Sequence, residues 1–68
     1  MLAFQLSNEN RVIEITCDDA GIDSLVRELL ALKGTGSHVH LYVGRTLSET
    51  TPCGDPTVGE VIISHGGD

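Results

Sequence analysis

The chain has 68 residues, with four Lys/Arg against ten Asp/Glu and a formal charge of −6. A chain this short buries roughly 60% of the surface its unfolded form exposes, which excludes a deep active-site cavity with a supporting shell behind it. Arg11, Arg27, Lys33 and Arg45 are scattered, so binding to nucleic acid by counterion release is not expected; the acidic surface serves solubility or steers the chain toward a basic partner.

Leu2 to Leu6 reads as a strand, because Leu2, Phe4 and Leu6 alternate with Ala3 and Gln5. Ser7-Asn8-Glu9-Asn10 is a turn cluster whose asparagines tolerate left-handed backbone. Arg11 to Cys17 is a second strand, with Ile13, Ile15 and Cys17 on one side, and the short turn makes the pair a β-hairpin. Asp18-Asp19 marks a helix start, where a carboxylate accepts from the unpaired amides of the first turn. Ile22, Leu25, Val26, Leu29 and Leu32 recur at helical spacing, and Gly34 is the expected left-handed stop. Gly21 weakens the first turn and points to close packing there.

Ser37 to Val43 is a third strand with strict alternation. Val39, Leu41 and Val43 share one face; His38, His40 and Tyr42 share the other. The segment from Gly44 to Pro56 is rich in breakers and reads as a long exposed loop. Thr57 to Ser64 is a fourth strand, ambiguous in facing because Val61, Ile62 and Ile63 are continuous, and the residues from Gly66 to Asp68 form a loose tail. The expected fold is therefore a single α+β domain over residues 1–68. It is a two-layer ββαββ arrangement, a four-stranded mainly antiparallel sheet with one amphipathic helix on one face, in strand order 2-1-3-4 or 1-2-4-3. The expected core is Leu2, Phe4, Leu6, Ile13, Ile15, Ile22, Leu25, Val26, Leu29, Leu32, Val39, Leu41, Val43, Val61 and Ile63.

One helix covers one face of such a sheet and leaves the other open. The open face, with His38, His40 and Tyr42, and the loop residues Arg45 and Glu49 are the expected contacts for a protein partner. An alternative is a small metal-binding protein, since His38 and His40 are spaced to share an ion and His65 could join them. That reading still needs a fourth ligand, from Glu60 or Cys53, and oriented partners behind the histidines. Nucleophilic catalysis has only Cys53 with a histidine to draw on, with no oxyanion turn beside it, so no enzyme and no cofactor are expected. Cys17 and Cys53 do not make a disulfide framework. No apolar run is long enough to cross a membrane, and no signal-peptide pattern opens the chain, so a cytoplasmic location is expected. Thr57 to Ser64 carries one charge and no proline. If it lies at a sheet edge, its simplest cover is the same strand of a second copy, making a homodimer an expected alternative to the monomer.

Several short strings together resemble the Imm32 family of bacterial immunity proteins. They are the helix entry Cys17-Asp18-Asp19-Ala20-Gly21-Ile22, the string His38-Val39-His40-Leu41 after a helix ending in Leu-Lys-Gly, the Leu47-Ser48-Glu49 element and the late Val61-Ile62-Ile63 strand. The resemblance implies a small protein of a polymorphic toxin system that neutralises a partner toxin domain by binding it. This chain departs from that pattern between the histidine string and Leu47, where it has Tyr42-Val43-Gly44-Arg45-Thr46 and no tryptophan.

Overall fold

The computed structural model describes residues 1–66; Gly67 and Asp68, at the end of the expected tail, lie outside the described residues. The element order is β1 (Leu2–Ser7), β2 (Val12–Cys17), α1 (Asp19–Leu32), β3 (His38–Tyr42) and β4 (Glu60–Ser64). The fold is α+β with the expected ββαββ order. The four strands form two separate antiparallel hairpins, β1 with β2 and β3 with β4, where one continuous sheet was expected.

The reason for the separation lies at the free edge of β1. Its carbonyls at Leu2 and Phe4 accept from the amides of Ser48 and Val58, each at 2.7 Å. The segment between β3 and β4 therefore occupies the place where a third strand would ladder on. Thr57 Oγ1 ties this segment to itself by donating to the carbonyls of Ser48 and Glu49. What reads as an exposed loop is thus anchored along β1, and it brings Leu47 into the core.

The turn between β1 and β2 uses left-handed backbone at Asn8, Glu9 and Asn10, with φ of 52°, 59° and 66°. Asparagine adopts this region at little cost, whereas Glu9 has no such aptitude and is carried by its neighbours. The helix begins as its sequence implies. Asp18 is the N-cap, and its carboxylate accepts from the Gly21 amide at 2.8 Å. The same oxygen accepts from the amino group of Met1. At the other end, the Lys33 amide donates to Leu29 and Leu30, and Gly34 follows with φ of 80°.

The core is narrower than the periodicity implies. Leu2, Phe4, Leu41 and Leu47 form its buried cluster, with Leu25, Val39, Val43, Val61 and Ile63 partly buried against it. Leu32 is buried as well, at the end of α1. Leu6, Ile13, Ile15, Ile22, Val26 and Leu29, all expected inside, are exposed. An apolar stripe wider than the contact it meets leaves its margin outside, and here only the Leu25 and Leu32 side of α1 finds a partner. Alternation in β4 resolves its ambiguous run: Val61 and Ile63 turn inward and Ile62 outward.

The Asp18 cap has a consequence for acid stability. The Met1 ammonium, followed by the Gly21 amide, holds the Asp18 carboxyl below the usual carboxylate range. A depressed folded pKa contributes stability above the unfolded value and loses it as pH falls through the folded one. Asp18→Asn keeps the cap but removes the charge. Thermal unfolding followed from neutral pH to below the ordinary aspartate range should show a flatter acid limb for this variant than for the parent. An acid limb of unchanged steepness would show that the pair with Met1 carries no pH-dependent stability.

Candidate functional site

The β3–β4 hairpin has one face on the core and one on solvent because its register pairs like-facing residues. Val39 opposes Ile63 and Leu41 opposes Val61, all on the core side. The intervening pairs are His38 with Ser64, His40 with Ile62 and Tyr42 with Glu60. The outer face is thus a two-strand row of His38, His40, Tyr42, Glu60, Ile62 and Ser64, every one exposed.

Three contacts order this face. His40 Nδ1 and Glu60 Oε2 are 2.9 Å apart, so a protonated Nδ1 donates to the carboxylate. The rings of His38 and His40 meet edge to face, with centroids 5.0 Å apart. Arg45 Nη1 donates to the Tyr42 hydroxyl at 3.0 Å, and its guanidinium carbon lies 6.0 Å from the Tyr42 ring centre. That contact is built locally. The amides of Arg45, Thr46 and Leu47 all donate to the Tyr42 carbonyl, closing a tight turn in which Gly44 takes φ of 91°. The turn folds Arg45 back over the tyrosine. The hydrogen bond to the Tyr42 hydroxyl pushes the Arg45 guanidinium above its ordinary range.

Of the five expected contact residues, His38, His40 and Tyr42 therefore share one face and Arg45 joins them through Tyr42. Glu49 stands apart. It lines a groove of about 530 Å³ between the turn and the start of α1, together with Met1, Gly21, Ser24 and Arg45. Arg45 is the residue common to the face and the groove. Glu60 and Ile62 complete the face and are absent from the expected set. Their parity was readable once Glu60, Ile62 and Ser64 were placed on one side of a strand, but the register that sets Glu60 beside His40 was not.

His65 has different surroundings from the other two histidines. Its amide donates to the Ser37 carbonyl at 2.8 Å, and its ring is half-buried, with Nδ1 sealed from solvent and unpartnered. Among the described residues no group of three or more His, Cys, Asp or Glu side chains is placed to hold a metal ion. Cys17 and Cys53 are both free thiols, the second exposed in the loop. No helix among the described residues is long and apolar enough to cross a membrane.

No family model matches the chain, and no curated protein or solved structure shows significant similarity to it. The likeness to immunity proteins is therefore carried by its short strings alone.

Proposed function

We propose that the chain is a small non-enzymatic binding protein of the immunity type, acting in the cytoplasm by direct contact with a toxin domain. The observation that carries this reading is the outer face of β3–β4. It presents two histidines in edge-to-face contact and a tyrosine hydrogen-bonded to an arginine, on a hairpin whose other face is anchored in the core. Tyrosine and arginine are, with tryptophan, the residue types enriched among those that dominate binding energy at protein interfaces. The expected contacts are His38, His40, Tyr42 and Arg45, with Glu49 reached through the adjoining groove. The chain's overall charge of −6 would steer it toward a basic toxin surface.

The test begins with the reading frame next to this gene. If that frame encodes a toxin domain, co-expression with this chain should rescue growth, and the purified pair should bind. Tyr42→Ala and Arg45→Ala should each weaken binding roughly tenfold or more while leaving the circular dichroism spectrum unchanged. Failure of the parent chain to rescue growth, or binding by both variants as tight as that of the parent, would count against the proposal.

A further inference from the structure

A surface on the other hairpin and the helix is left uncovered, and its chemistry differs from that of the histidine face. Leu6, Ile13 and Ile15 project from the β1–β2 hairpin, with Ile13 65% exposed. They line a groove of about 480 Å³ with Phe4, Val58 and Val61, in which Glu60 is the one charged lining residue. Ile22, Val26 and Leu30 form a second strip, spaced four apart along one line of α1, with Leu30 63% exposed. The two strips border the same core, since Phe4 opposes Ile15 across the hairpin and Leu25, adjacent to Val26, packs on the buried cluster. By contrast, Ile62 stands among His40, Glu60 and Ser64 on its own face.

The exposed area of the whole chain is large for its size. A monomer of 7.2 kDa is expected to expose about 4,100 Å², whereas this chain exposes 4779 Å². The excess, about 700 Å², approaches the ~800 Å² that each partner contributes to a standard stable interface. The outer edge of β2 is also unpaired among the described strands. An aliphatic surface with hardly any charge asks for no complementary charge on its cover, and the same surface on a second copy meets it across a two-fold axis.

We infer that the β1–β2 strip and the α1 strip together form a two-fold interface between two copies of this chain. The interface does not depend on the proposed toxin contacts, because His38, His40, Tyr42 and Arg45 belong to neither strip; Glu60 alone borders both the histidine face and the β1–β2 groove. Each copy brings a charge of −6, so added salt should strengthen the association by screening the repulsion.

Sedimentation of the full chain from low to high micromolar concentration tests this. A dimer is expected, and Ile13→Glu and Leu30→Glu should each weaken it on the order of a hundredfold, since the two-fold axis buries every introduced charge twice. Ile62→Glu should leave it intact. A parent chain that stays monomeric throughout, or a dimer that survives both strip variants or is broken by Ile62→Glu, overturns the inference. If a strip variant fails to fold, hydrogen exchange on the parent decides. Amide protection along β2 that rises with concentration supports the interface, and protection independent of concentration overturns it.

Discussion

Leu41→Ala is expected to cost about 2–5 kcal/mol, a large share of the stability available to so small a domain. Leu41 is fully buried, at 0% exposure, at the centre of the cluster formed with Leu2, Phe4 and Leu47. These residues come from β1, β3 and the segment between β3 and β4, so a cavity at Leu41 faces neighbours tied to different parts of the backbone. Such neighbours collapse poorly into a void, which places the cost in the upper half of the usual range. Leu29→Ala is the informative contrast. Leu29 is 44% exposed, so its truncation should cost less than about half of the Leu41 penalty. Urea unfolding of the two variants, with equal slopes, measures the difference. Equal costs would mean that the buried cluster does not dominate the folding energy.

Gly21→Ala should also destabilise, against its local preference. Alanine is favoured over glycine in a helix interior by about 1 kcal/mol. Here, however, a Cβ on Gly21 would stand 1.7 Å from the Met1 carbonyl oxygen and 2.6 Å from its carbon. The obstacle is backbone, so it cannot swing aside like a side-chain end. The same carbonyl accepts from the Asp18 amide at 3.1 Å, and moving it breaks the bond that joins the chain start to the helix cap. A net loss of about 1–3 kcal/mol is expected once the propensity gain is subtracted from the overpacking cost. A rise in the thermal midpoint would show that the first residue yields freely and that Gly21 is not held by this approach.

The sequence made some of this structure legible and concealed the rest for identifiable reasons. Strand alternation, the helix cap at Asp18 and the stop at Gly34 are local signals, and each reads correctly because the backbone geometry involves residues only a few positions apart. The close packing at Gly21 was visible as a glycine that costs helix stability without an evident return. The facing of His38, His40 and Tyr42 followed from parity alone. What depended on distant pairing was not legible. Leu47 looks like part of a polar loop, yet it is buried because Ser48 and Val58 bond to β1. The exposure of Ile13, Ile22 and Val26 was hidden because apolar spacing reports that a face seeks cover, not whether the chain itself supplies it. Glu60 was missed at the histidine face because its place beside His40 depends on the register between β3 and β4.

The bonds from Ser48 and Val58 to β1 also bear on how the chain is made. In order of synthesis β1 emerges before β2, β3 and β4, yet two of its carbonyls wait for amides that follow about fifty residues later. Neither hairpin holds the buried cluster by itself, because Leu2 and Phe4 belong to one half and Leu41 and Leu47 to the other. Two sheets that share no ladder are therefore bound into one cooperative unit. A nascent chain stalled before Ser48 would expose an open β1 edge and half a core to whatever lies nearby.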